Sequence, residues 1–171
     1  MTESALRIHS AQPQDVPDIL QLIRDLAAYE KLEDRVVATE EGLRETLFDE
    51  PPAAEVVLAR VGEQTAGFAL FFHNYSTFLG QRGIYLEDLY VRPEHRARGC
   101  GKALLQHLAR VAVERNCGRL EWAVLDWNEP AIGFYRRLGA EAMSDWVVYR
   151  LTGPSLHRLA GLGDVPAAPA R

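Results

Sequence analysis

Cysteine is scarce in this chain: among its 171 residues there are two, Cys100 and Cys117. They fall at opposite ends of one predicted helix, too far apart to bond to each other, and with no CxxC and no clustered histidine they leave no metal site. Long apolar runs are missing too. None approaches the roughly 18 residues that a membrane span requires, and Met1-Thr2-Glu3-Ser4 lacks the basic and apolar stretches of a secretory leader. The expectation is a cytoplasmic protein with no membrane partner. Positive charge is not in excess either: 19 Lys and Arg against 24 Asp and Glu give a net charge of -5, which speaks against a nucleic-acid partner. No internal repeat is evident. What is present, 47% hydrophobic and 25% charged residues, suits one globular domain long enough to bury a core. We expect that domain over residues 1–160, followed by a flexible tail, 161–171, rich in Ala, Gly and Pro.

Periodicity gives the order of elements. Leu6-Arg7-Ile8-His9 alternates as a short first strand, and Pro13 and Asp15 open a helix whose apolar residues, Ile19, Leu20, Ile23, Leu26 and Ala27, fall on one face. That helix runs out in an acidic segment, Tyr29-Glu30-Lys31-Leu32-Glu33-Asp34. A second helix is capped by Thr39 and closed by Pro51-Pro52. Strands are expected over 55–61 and 65–75, joined by a hairpin connection, and then over 83–91 after a loop. A helix over 103–115, a strand over 120–126, a helix from Asn128 or Glu129 to Gly139, and a last strand over 143–151 complete a mixed α/β domain around a single sheet.

Two places in this order carry chemistry. The first is Arg96-Ala97-Arg98-Gly99-Cys100-Gly101-Lys102, between a strand and a long apolar helix. Gly99 and Gly101 let backbone approach a ligand, and the helix start offers unpaired N–H groups and the positive end of its dipole. Arg96, Arg98 and Lys102 add formal charge suited to a ligand with several phosphates. A Walker A loop is excluded by Arg96 and Ala103, and a dinucleotide fingerprint by Leu104. The residues alone leave two readings, a pyrophosphate turn or a glycine-eased junction with solvated basic side chains. The second place is Glu87-Asp88 inside the apolar run 85–91. Neighbouring strand residues face opposite sides, so one carboxylate must face inward, where charge is costly unless it is paired or used. A neighbouring Arg could neutralise it. The histidines have no Ser or Cys partner, which disfavours a triad hydrolase, and Cys100, without an assigned base, is a poor nucleophile.

Together, Arg96-x-x-Gly99-x-Gly101 after a strand and Asn128-Glu129-Pro130-Ala131-x-x-Phe134-Tyr135-x-x-x-Gly139 resemble the two cofactor segments of the GNAT superfamily of acetyl-CoA-dependent N-acetyltransferases. The likeness extends from Ile8 to about Leu151. Leu26-Ala27-x-Tyr29-Glu30, Tyr85-Leu86-Glu87-Asp88-x-x-Val91 and Trp127-Asn128-Glu129-Pro130 are similar to the diamine (spermidine/spermine) and thialysine N-acetyltransferase group. Ala123-Val124-Leu125-Asp126-Trp127-Asn128 and Tyr75-Ser76-Thr77 are closer to the thialysine branch. Where the polyamine enzymes place an acid and a tryptophan, this chain has Ser76 and Phe78.

The resemblance implies a GNAT-like, mostly antiparallel sheet with a splayed strand, flanked by helices. It also implies direct acetyl transfer from acetyl-CoA to a small primary amine, with no metal. Glu87 would act as base through a water and Tyr135 as the acid that protonates the thiolate. Backbone N–H groups freed where the strand splays or bulges near Leu89, Tyr90 and Val91 would polarise the carbonyl. Residues 96–102, Asn128, Pro130, Ala131 and Tyr135 would complete the cofactor site, and Tyr29, Glu30, Glu33, Glu87, Asp88 and Asp126 would hold the cationic acceptor. A homodimer is implied as well. Polyamine acetylation and a non-catalytic acetyl-CoA sensor are the alternatives, the latter disfavoured by the presence of both Glu87 and Tyr135.

Overall fold

The structure, a computed structural model, describes residues 5–163. The chain divides into two compact units, Met1–Ala123 and Val124–Arg171. The first holds β1 (Leu6–Ser10), α1 (Val16–Glu30), α2 (Glu40–Phe48), β2 (Glu55–Val61), β3 (Gln64–Ser76), β4 (Gln81–Val91), α3 (Cys100–Glu114) and β5 (Leu120–Trp122). The second holds α4 (Glu129–Arg137) and α5 (Gly153–Leu159).

The five strands form one sheet in the order β1-β2-β3-β4-β5, antiparallel except for the parallel β4–β5 pair, as expected. Alternation along β2 and β3 covers both faces of this sheet. Val56, Leu58 and Phe68 join Ile19 and Leu22 of α1 and Leu47 of α2 in one core cluster. Val57, Ala59 and Phe71, of opposite parity, are buried on the other face. Helix α3 lies there and contributes Leu104, Leu105 and Leu108, with Val57 and Phe71 lining a cleft beside Val111. The first two helices keep their expected signals, including Thr39 Oγ1 accepting from Gly42 N at 3.1 Å as the cap of α2.

One irregularity in β4 decides much of the site. Leu86 stands opposite Phe71 and Asp88 opposite Leu70, so Glu87 is an extra residue, a β-bulge. Directly opposed residues share a face. Ile84 and Leu86 therefore sit with Phe71 on the α3 face, whereas Asp88 and Tyr90 sit with Leu70 and Phe68 on the α1 face.

Several expected boundaries move. The connection between β3 and β4 shrinks to 77–80, because the hairpin ladder runs on to Ser76 and Gln81. Helix α3 begins at Cys100 rather than Ala103, since Gly99 takes a left-handed φ of 84° and leads straight into the first turn, which needs no intrahelical donors. Strand β5 stops at Trp122 rather than Asp126, because its ladder with β4 reaches only Leu86, the residue before the bulge. Residues 143–151 form no strand: a turn closes from Trp146 N to Met143 O at 3.2 Å, and no described residue pairs with the run, which leaves Trp146 and Tyr149 exposed. Helix α5, uncapped by any side chain, was not foreseen. Of the expected tail, residues 164–171 lie outside the described residues.

Candidate active site

Beyond Leu86, β4 keeps β3 on one edge and, among the described residues, has no strand on the other. Arg92 N donates to Ala66 O of β3 at 2.9 Å, so alternation turns the N–H groups of Leu89 and Val91 toward the open edge. Free donors were expected near 89–91. The structure puts the splay at Leu86 and the bulge at Glu87, while Leu89, Tyr90 and Val91 stay paired with Ala69, Phe68 and Gly67.

The acids cluster on this open half. Glu87 is exposed at the bulge, and Asp88 is half-buried on the α1 face. Burial, reinforced by the negative charges of Glu87 and Glu30, pushes Asp88 up to about 6. Burial also raises Glu30, at the end of α1. No Arg or Lys neutralises this pair among the described residues. Arg92, four residues after Asp88, is spent on Asp25 (Nε to Oδ2, 3.2 Å) and on Thr65 O (3.1 Å). A concentration of negative charge left unpaired at the edge of a core is suited to a cationic ligand. Glu33 lies in an exposed 3-10 turn, Glu33–Arg35, beyond the α1 terminus.

The glycine turn follows within a few residues. The first hydrogen bond of α3 runs from Ala103 N to Gly99 O at 2.9 Å, so the N–H groups of Cys100, Gly101 and Lys102 have no intrahelical acceptor, and Gly99 has no side chain to cap them. Ala97 enters the turn at φ 59°, a conformation costly for a residue with a Cβ and of the kind that accumulates at binding sites. Arg98 and Lys102 are exposed and form no ion pair with a described carboxylate. Cys100 is buried, which raises its thiol pKa and removes it further from the role of nucleophile. Arg96 differs from its two basic neighbours. Its guanidinium lies 4.8 Å from the Tyr29 ring and 5.5 Å from the Tyr90 ring, and its Nε donates to Val91 O at 2.8 Å. Nothing in the sequence places Tyr29 and Tyr90 around Arg96, since 67 residues separate Tyr29 from Arg96 and only the folded α1 joins them.

The second unit carries the remaining candidates. Asn128, not Glu129, is the N-cap of α4: its Oδ1 accepts from Ala131 N at 3.4 Å, and it is buried. Pro130 occupies the first turn. Tyr135 is half-buried, its ring 5.4 Å from that of Phe134, and Asp126 is exposed.

An open-edged strand leading into an uncapped, glycine-turned helix is the arrangement that the sequence resemblance implies, and comparison with known proteins agrees. Residues 18–140 match the acetyltransferase (GNAT) family model. The chain belongs to this GNAT family. Its relatives include a thialysine N-epsilon-acetyltransferase of Bos taurus, 40% identical over 165 residues that span 90% of this chain and 96% of the relative. An L-ornithine N5-acetyltransferase of Arabidopsis thaliana is 35% identical over 90% of this chain and 87% of its own length. Among solved structures, an integron cassette protein from the mobile metagenome of V. cholerae superposes with a TM-score of 0.77 at 27% identity, covering 91% of this chain and 97% of that one. As a GNAT protein the chain is an acetyltransferase, with the mixed α/β fold of the family. Among the described residues no helix is long and apolar enough to cross a membrane, and no group of three or more His, Cys, Asp or Glu could hold a metal.

Proposed function

We propose that the protein transfers the acetyl group of acetyl-CoA directly to the terminal primary amine of a small amino-acid-like acceptor, of the kind for which its thialysine and ornithine relatives are named. The observation that carries this reading is the open half of β4, where unneutralised carboxylates on one side adjoin free backbone donors on the edge. Residues in that half fit an acyl-CoA: the first-turn N–H groups of α3, with Arg98 and Lys102, suit a pyrophosphate, and Leu89 and Val91 N–H groups suit an amide chain or a thioester carbonyl. The sequence resemblance adds Asn128, Pro130, Ala131 and Tyr135 as further cofactor-binding residues.

Acetyl-CoA supplies an activated thioester when bound. Glu30, Glu33 and Asp88, with Tyr29, attract and hold the ammonium form of the acceptor, and the sequence resemblance adds Asp126 to this role. An amine must be neutral to attack, and Glu87, exposed at the bulge, takes the proton through a water. The Tyr135 hydroxyl donates a proton to the departing thiolate. A spermidine- or spermine-like acceptor is served less well. Ser76 Oγ accepts from Leu79 N at 3.3 Å and so closes the hairpin turn, and Phe78 is 95% exposed, so this tip offers no carboxylate to a distant second ammonium.

The protein works in the cytoplasm and as a homodimer; the dimer is supported by the apolar run Trp146-Val147-Val148-Tyr149, which is 72% to 93% exposed and which a second copy would cover. Sedimentation at micromolar concentration is expected to give a dimer; a monomer would refute it. CoA release measured over a panel of thialysine, lysine, ornithine, short diamines and spermidine tests the substrate. Turnover is expected to be highest with thialysine, whose γ-sulfur lowers the amine pKa. Preferential turnover of spermidine would overturn the acceptor assignment, and turnover of no amine would overturn the enzymatic one.

A further inference from the structure

Arg96 opens the glycine turn, the place where a cation would be expected to meet phosphate. Its planar guanidinium is instead directed to the two tyrosine rings, and its Nε–H is used on Val91 O, the last residue of the β4 ladder with β3. Arg96 is exposed like Arg98 and Lys102, but its stacked guanidinium and backbone acceptor fix its orientation. Tyr90 is 7% exposed and belongs to the α1-face core, so it is a rigid wall. Tyr29 ends α1 immediately before Glu30, one of the acids that raise Asp88.

We propose that Arg96 is a positioning residue, held by Tyr29 and Tyr90, that braces the exit of β4 against the end of α1 and so fixes the aim of the α3 first-turn N–H groups. In this role its shape matters rather than its charge, and the phosphate charge of the ligand falls to Arg98, Lys102 and the backbone. The brace also joins the acceptor side, through Tyr29 and Glu30, to the cofactor side, through Val91 and the turn. It rests on the acetyl-CoA reading of this turn given above.

Two measurements test it. In CoA titrations over a range of salt, Arg96→Lys and Arg96→Met are expected to weaken binding alike, by about fivefold, because lysine keeps the charge but loses the plane and the fork. Their salt dependence should match that of the wild type, whereas Arg98→Met and Lys102→Met should flatten it. Binding by Arg96→Lys at wild-type strength, or a flattened salt dependence in Arg96→Met, would overturn the proposal. The second measurement needs no ligand: a double-mutant cycle in thermal melts with Tyr29→Leu and Arg96→Met. The loss in the double variant is expected to be smaller than the sum of the single losses; additive losses would overturn the brace. If Tyr29→Leu did not fold, Arg96→Lys and Arg96→Met would decide the matter in the titrations. Wild-type protein that bound no CoA would remove the acetyl-CoA reading, while the ligand-free cycle would still decide whether Arg96 is a brace.

Discussion

The two halves of β4 are built from one strand and do opposite work. Residues 81–86 are paired with β3, and from Ile84 to Leu86 with β5 as well; Ile84 is 0% and Leu86 1% exposed. Among the described residues, 87–91 pair with β3 alone, and they carry two carboxylates where the first half carries two core side chains. The difference lies in hydrogen bonding before it lies in side chains. A backbone with both edges satisfied has nothing left to offer a ligand, whereas one with an open edge keeps donors in fixed positions without any cost of reorganisation when they are used.

The comparison breaks if the halves cannot be separated by mutation. The largest effect is expected from Ile84→Ala, which removes a fully buried side chain from the doubly paired half and should cost about 3 kcal/mol, or roughly 6 to 12 °C in Tm. Activity of the folded enzyme at low temperature should be retained. A kcat that fell with Tm intact would show that the paired half is part of the site. Next comes Glu87→Gln in the open half, expected to lower kcat/KM about 10²-fold, equivalent to roughly 2.7 kcal/mol, with little change in Tm. That defect should shrink as pH rises, because more of the amine is then neutral, whereas the similar loss expected for Tyr135→Phe in kcat should not. A Glu87→Gln defect equal at every pH would remove Glu87 from the role of base.

Asp88→Asn is expected to have a smaller effect, of the opposite sign in stability. Asp88 is raised from 3.8 to about 6, so between those values the folded protein holds a proton that the unfolded chain has released. Stability conferred by that proton is lost as pH rises through this window, and the deficit persists at neutral pH. The variant should therefore melt several degrees above wild type near neutral pH, with the difference closing toward pH 4, while its KM for the amine rises. A lower Tm at neutral pH would mean that the carboxylate is satisfied where it stands.

Much of this was legible in the sequence because it is local. Apolar spacing in α1 and α3, the Thr39 cap and the glycines at 99 and 101 act within a turn or two of chain, and each element forms as they indicate. What escaped depends on partners distant in sequence. Residues 143–151 alternate well enough for a strand, but a strand needs a second row of donors and acceptors, and none of the described residues supplies it. Glu87 and Asp88 were visible as an oddity in an apolar run; that one is bulged out and the other turned toward Glu30 depends on register with Leu70 and Phe71. Arg96 carries the charge a phosphate turn needs, yet its direction comes from Tyr29, which only the tertiary fold brings near.

The bulge also separates two kinds of genetic change at one codon. Any side chain at residue 87 leaves the count of β4 unchanged, so a substitution there alters chemistry and spares architecture. Removal of the codon would close the bulge and restore strict alternation, with Asp88 following Leu86 directly and still opposite Leu70, so Asp88 and Tyr90 would keep the α1 face. The carboxylate that faces Glu30 and the ring that faces Arg96 would stay where they are, and what would be lost is the bulged backbone and the Glu87 carboxylate. Position 87 can thus be erased without turning the strand over, and a homologue lacking it in alignment should be read as keeping the faces of β4 while losing the residue at the bulge.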